Sequence, residues 1–187
     1  MGAHEKGYPV SEMLDTQSAW LDEADLASAR DRLPIVYVDA VPVRVDSLGQ
    51  VTEVGLLLRV LPDGSISRAI VSGRVLYGER LRDALMRHLE KDLGPMAMPR
   101  IPTSPQPFTV VEYFPDPEIT GFHDPRQHAV SLAYVVQIDG DCAPSQSALD
   151  LIWVSPQEAV SMAFQSQMGG GQDRLVRMAL AHCGVLA

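Results

Sequence analysis

The chain carries only two cysteines, Cys142 and Cys183, in 187 residues. Their spacing matches neither a metal nor a redox motif, and nothing suggests a disulfide framework, so a reduced, cytoplasmic setting is expected. No apolar run approaches the roughly 18 residues needed to cross a bilayer. The first residues lack the layered pattern of a signal peptide, so export by a standard route is not expected. Positive charge is also scarce: 15 Lys and Arg stand against 24 Asp and Glu, for a net charge of −9. That balance argues against general nucleic-acid or anionic-membrane binding, both of which need a basic surface. Repeats and low-complexity tracts are absent.

What is present is a large apolar fraction, 46%. A chain of this length and composition can bury one core but not two of ordinary size. The expected division is an N-terminal extension with a short helix at 1–33, followed by one domain at 34–187. Residues 1 to about 17 show no periodicity and are expected to pack loosely. Trp20, Leu21, Leu26, Ala29 and Leu33, interleaved with acids, suggest a short helix ending before Pro34.

Ile35–Val45 and Val51–Val60 read as strands joined by the turn Asp46-Ser47-Leu48-Gly49, with Pro42 pointing to an edge or bulge in the first. Ile66–Val71 follows the turn Leu61-Pro62-Asp63-Gly64. Short connections imply antiparallel pairing up to this point. Pro95–Pro107 holds five prolines in thirteen residues and can be neither helix nor central strand, so it reads as a stiff spacer, with a rim of the site as the alternative. Phe108–Phe114, Ala129–Ile138 and Leu151–Val154 read as further strands, with Trp153 in the core. Pro115–Gln127 reads as a loop. Gln172–Cys183 reads as a terminal helix with Leu175, Val176, Ala179 and Leu180 inward, preceded by three glycines that read as a hinge. The fold class is α+β, with a mixed, largely antiparallel sheet and helices on its faces.

The stretch Gly73–Gly94 organises the rest. Leu81, Leu85, Leu89 and Leu93 recur every four residues along one helix face, and Gly94-Pro95 supplies the stop. Asp92 falls inside that apolar stripe and His88 on its shoulder. A carboxylate near a helix C-terminus meets the negative end of the backbone dipole, so Asp92 needs a compensating cation. Lys91, Arg87 or a metal are the candidates. From Arg59 to Arg100 eight basic residues face five acidic ones, a local excess of +3 suited to an anionic small ligand.

Gly73, Glu79, Arg87, Leu89 and Gly94 resemble the Nudix box without insertion or deletion. In that pattern the three glutamates of the cluster are replaced here by His88, Lys91 and Asp92, and Pro95 fills the last apolar position. His123-Asp124-Pro125-Arg126 with the following strand, and Trp153-Val154-Ser155-Pro156 with Glu158, resemble Nudix proteins related to ADP-ribose hydrolases. More narrowly the chain is similar to an uncharacterised actinobacterial Nudix-like family. The resemblance implies a Nudix-like α/β/α sandwich, a phosphate-containing small-molecule ligand and a divalent metal, magnesium or manganese. It also implies a Glu79–Arg87 pair and structural roles for Gly73, Arg87, Leu89 and Gly94.

Three glutamates would supply −3, whereas His88, Lys91 and Asp92 sum to about zero with a neutral imidazole. Hard cations want several charged oxygens, so standard magnesium binding is expected to be weak. Three readings remain open. The first is a ligand-binding protein with hydrolysis weakened or lost, in which Lys91, Arg68, Arg126 and His123 contact the ligand. In the second, an active hydrolase uses Asp92, His88 and Glu79 catalytically, with a metal on Asp92, His88 and a further carboxylate such as Glu118. The third is a structural or partner-binding domain, with a homodimer as one form.

Overall fold

The computed structural model describes residues 20–61, 64–144 and 148–186. The segment expected to pack loosely, 1 to about 17, lies outside the described residues. The chain order is α1 (Glu23–Arg30), β1 (Ile35–Val45), β2 (Val51–Val60), β3 (Ile66–Ala69), β4 (Val71–Arg74), α2 (Leu81–Leu93) and β5 (Pro99–Arg100). There follow β6 (Thr109–Tyr113), β7 (Ala129–Ile138), β8 (Asp150–Val154), α3 (Pro156–Ala159), α4 (Met162–Gln165) and α5 (Gln172–His182).

β1 is the axis of the sheet. On one side it runs parallel to β7 from Ile35 opposite Ala129 to Val43 opposite Gln137. On the other it pairs antiparallel with β4 over Tyr37–Ala40 and with β2 over Val43–Val45. Pro42 was expected to mark an edge or bulge, yet the strand is central. The proline lies between the stretch paired with β4 and the stretch paired with β2, where a missing N–H is least costly. A register shift follows at Arg44/Val45. β2 pairs with β3 and β8, and β7 with β6 and β5, all antiparallel. The single strand expected at Ile66–Val71 divides at Ile70 between a β2 partner and a β1 partner. The Ile70 N–H at the break donates to Gln172 Oε1 of α5 at 3.1 Å.

Both faces of β1 are covered, which explains its nearly unbroken apolar run. Val38 and Ala40 join Leu57, Val71, Ala84, Leu85, Leu89 and Leu93 in a core under α2. Val41 and Val43 join Leu56, Ile70, Val111, Leu175, Val176, Ala179 and Leu180 in a core under α5. The result is an α/β/α sandwich with a mixed, largely antiparallel sheet, as the patterning implies. Trp153 is part of the α2-side packing. The proline-rich spacer contributes only the two-residue β5, at Pro99–Arg100.

α1 is capped by Asp22, whose side chain accepts from the Asp25 N–H, and it buries none of its side chains. It is held by polar contacts: Arg30 Nε donates to Gln127 Oε1 at 2.8 Å, and the guanidiniums of Arg74 and Arg87 lie 5.5 and 5.4 Å from the Trp20 ring centre. The glycines before α5 are close-approach positions more than a hinge. Gly170 has φ +67 and Gly171 φ +84. A Cβ on Gly170 would lie 2.8 Å from the His123 carbonyl oxygen, and one on Gly171 2.8 Å from the Phe122 ring.

Leu89 is fully buried at the centre of the α2 contact. Leu89→Ala is expected to cost about 2–5 kcal/mol, measured as a fall in the urea midpoint with an unchanged slope.

Candidate functional site

The loop after β4 and the start of α2 are locked by one arginine. Arg87 Nε and Nη2 donate to Glu79 Oε1 and Oε2, each at 2.7 Å, and Nη2 also donates to the Arg74 carbonyl at 2.9 Å. The Leu76 N–H donates to Glu79 Oε2 at 2.9 Å. Burial pushes the Glu79 carboxyl up, but the Arg87 fork and the Leu76 N–H outweigh it and hold the group below its ordinary value. Glu79 is thereby engaged in holding the loop.

His88 is buried, and its ring lies flat on Gly73. A Cβ on that glycine would fall 1.9–2.3 Å from three ring atoms. Nε2 sits 3.0 Å from the Arg74 carbonyl, which can only accept, so Nε2 carries the hydrogen. Burial pushes the imidazole below its usual range, and the neighbouring Arg87 and Lys91 add to that, so the ring is neutral at physiological pH. A glycine at position 73 is therefore required by the imidazole standing where the box pattern has a glutamate.

Asp92 is buried at 2% exposure, and Arg59 Nη2 of β2 donates to its Oδ2 at 2.9 Å. The cation that α2 needs near its C-terminus is thus a β2 arginine. Asp92 belongs to the buried α2 face. Lys91 is exposed on the same helix. Glu118 is exposed in the loop before β7, its N–H donating to Asp116 Oδ1 at 2.9 Å. No group of three or more His, Cys, Asp or Glu side chains able to hold an ion forms among the described residues. The box thus offers a carboxylate paired with a guanidinium, an imidazole nitrogen engaged by a carbonyl and an exposed amine. This donor set does not fit a hydrated divalent cation.

On the opposite face of the sheet lies a cavity of about 270 Å³, bordered by Tyr37, Ser72, Tyr113, His123, Asp124 and Arg126, with Gly170 and Gln172 from the approach to α5. His123 and Arg126 meet here. Arg68 stands apart, donating from Nε to Gln167 Oε1 at 3.0 Å with its guanidinium over Phe164. Asp124 orients Arg126 by accepting from Nε and Nη2, each at 2.9 Å, and from its backbone N–H at 3.0 Å. Gln127 donates to Asp124 Oδ2 at 2.8 Å and to the Tyr37 hydroxyl at 2.9 Å. Burial would raise the Asp124 carboxyl, but these donors outweigh it and hold the group low.

The residue that patterning overlooked is Asp39, next along the same face of β1 as Tyr37. It is 1% exposed and accepts from the Tyr113 hydroxyl at 2.9 Å. Burial pushes its carboxyl up; the hydroxyls of Ser72, Ser131 and Tyr113 oppose that shift. Of the three, Tyr113 makes the hydrogen bond of good geometry, and Oδ1 meets no partner among the described residues. Burial, then Asp39, drive the Tyr113 phenol far above its usual range, so it stays a donor. A lone carboxylate within the apolar run Val36–Val43 was the available signal, as was Arg59 at the end of Leu56-Leu57-Leu58.

Removing Arg59 leaves a buried carboxylate without its guanidinium. Arg59→Gln is expected to cost about 3 kcal/mol by urea denaturation, and Arg59→Leu combined with Asp92→Leu to recover most of it. A carboxyl raised by burial contributes stability that is present below its unfolded pKa of about 3.9 and is lost as pH rises through its folded value. Asp39→Asn is therefore expected to be more stable than the parent at pH 8, with the gap closing towards pH 4 in parallel thermal melts.

Residues 16–185 match the family described as a domain of unknown function, DUF4916. A search of curated proteins finds no match. Among solved structures, a Jonesia denitrificans protein described as a possible asymmetric diadenosine tetraphosphate (Ap4A) hydrolase is 62% identical. The match covers 83% of this chain and 98% of that one, with a TM-score of 0.81. The NUDIX domain of Shewanella oneidensis NrtR, solved with ADP ribose, is 17% identical over 86% of this chain and 98% of its own, with a TM-score of 0.58. A C. elegans Ap4A hydrolase in a binary complex is 15% identical over 80% and 98%, with a TM-score of 0.57. The last two likenesses speak to the fold, and the sandwich around α2 is theirs. The chain belongs to the DUF4916 family, and its fold is that of the Nudix structures it resembles.

Proposed function

We propose that the protein binds a phosphate-containing, nucleotide-like small molecule and that ordinary magnesium-dependent diphosphate hydrolysis is lost or strongly weakened. The observation that carries this reading is the Arg59–Asp92 ion pair. The last acidic group of the box cluster is neutralised from within the fold, by a guanidinium on the adjacent strand. His88, a second candidate ligand, is held neutral against Gly73 and hydrogen-bonded to the Arg74 carbonyl. Divalent metal, if it is used at all, has to find oxygens other than those of the box.

Support for ligand binding comes from the cavity on the α5 face. At about 270 Å³ it has room for one ring-sized group and not for a whole dinucleotide. Tyr37 and Tyr113 offer flat apolar walls that also hydrogen-bond. Arg126, oriented by Asp124, offers a guanidinium to an anionic group, and His123 lies beside it. The described relatives point to the same class of ligand, since the NrtR domain was solved with ADP ribose and the Jonesia protein is described as a possible asymmetric Ap4A hydrolase. Lys91 and Arg68 stand outside this cavity and are secondary to the reading.

Isothermal titration of the full chain with ADP-ribose and with Ap4A is expected to show binding that is equal in EDTA and in magnesium. Arg126→Ala should weaken it about tenfold or more. Release of AMP or phosphate above the buffer blank, with magnesium or manganese present, would overturn the proposal. An absence of heat with both ligands would remove them as candidates.

A further inference from the structure

A second depression, of about 640 Å³, lies between the segments flanking α1 and the loop after β4. It shares no lining residue with the cavity on the α5 face. Its walls are apolar, with Leu21, Leu33, Val36, Leu76 and Tyr77 among them, and among the described residues Arg74 is its only charged lining side chain. Much of that apolar surface is open: Leu33 is 62% exposed and Tyr77 89%. Leu21 and residues 33–36, which flank α1, form one bank. Apolar area of this kind is normally covered when it serves a purpose.

Arg74 is the unusual member. Its Nη1 is buried and meets no hydrogen-bond acceptor among the described residues. Among the described residues its guanidinium meets no carboxylate, and its one recorded side-chain contact is the Trp20 ring at 5.5 Å. Burial lowers its pKa, Tyr37 works against that, and the like charges of Arg30 and Arg87 lower it further. Of those two neighbours, Arg87 is answered by Glu79, while Arg30 is bonded to the neutral Gln127. A buried guanidinium nitrogen without an acceptor, beside two other arginines, is a place where an oxyanion repays its own desolvation.

We propose that this groove binds a small amphipathic anion, its oxyanion head on Arg74 and its aromatic or alkyl body along Leu21, Leu33 and Leu76. Trp20 supplies a flat face at the head end, already close to two guanidiniums. The site is independent of the nucleotide reading. Phosphate and carboxylate heads share the chemistry that Arg74 recognises, and the two are told apart by titration.

The test is isothermal titration of the full chain with phenyl phosphate, benzoate and inorganic phosphate at millimolar concentrations. Phenyl phosphate or benzoate is expected to bind about tenfold more tightly than inorganic phosphate, and the tighter of the two identifies the head group. Arg74→Gln should lower that affinity about tenfold or more, while Arg74→Lys keeps part of it. Leu33→Ser, a change at an exposed position, should weaken the aromatic probe and leave inorganic phosphate as it was. Circular dichroism on each variant verifies folding, and the Leu33 arm decides should Arg74→Gln not fold. Wild-type affinity in Arg74→Gln, no heat with any probe, equal affinity for phenyl phosphate and inorganic phosphate, or no effect of Leu33→Ser would each overturn the proposal.

Discussion

The architecture depends on how α2 is pinned to the strand before it. Two contacts converge on the Arg74 carbonyl: the Arg87 guanidinium and the His88 imidazole both donate to it. The first also grips Glu79, and the second leaves no room for any side chain at position 73. Because the carbonyl, the glycine and the helix turn are held together, the leucine stripe meets β1 in one register and Asp92 is carried inward towards β2. A looser loop would leave Asp92 free to face solvent. Instead the buried charge is paid for by Arg59, and the chemistry available at the box follows from that pairing.

The two faces of β1 then divide the labour. On the α2 face, Glu79, the His88 ring and Asp92 are each met by a partner and serve the fold. On the α5 face Tyr37, Ser72 and Tyr113 border open space, and behind them Asp39 keeps one oxygen that no described residue meets. Buried polar atoms left in that condition are uncommon. An acid left in that condition behind the cavity wall is the physical reason to look for binding there and not at the altered helix.

Much of the fold was legible because its periodicities are local. The leucine repeat of α2, the inward face of α5 and the strands Ala129–Ile138 and Leu151–Val154 all follow from spacing within about ten residues, the range over which pattern arguments hold. Pro42 misled because a proline reports only that an N–H is missing, not whether a neighbouring strand needed one. The handover from β4 to β2 is a tertiary fact. The partners of the candidate site were hidden for the same reason. Nothing near Asp92 in sequence names Arg59, 33 residues away, and nothing near Tyr113 names Asp39, 74 residues away. A solitary charge in an apolar strand was visible, but not what answers it.

The parallel pairing of β1 with β7 has a consequence for how the molecule comes into being. Residues 35–43 find their neighbours at 129–137, so one edge of the axial strand stays bare until most of the polypeptide has been synthesised. Contacts of such long separation slow folding and leave apolar strand edges exposed to aggregation meanwhile. The antiparallel hairpin of β1 with β2 and its junction with β4 can assemble early and shield the other edge. On the ribosome, the α5-face cavity is therefore among the last features to exist, since its walls include Gly170 and Gln172 near the end of the chain.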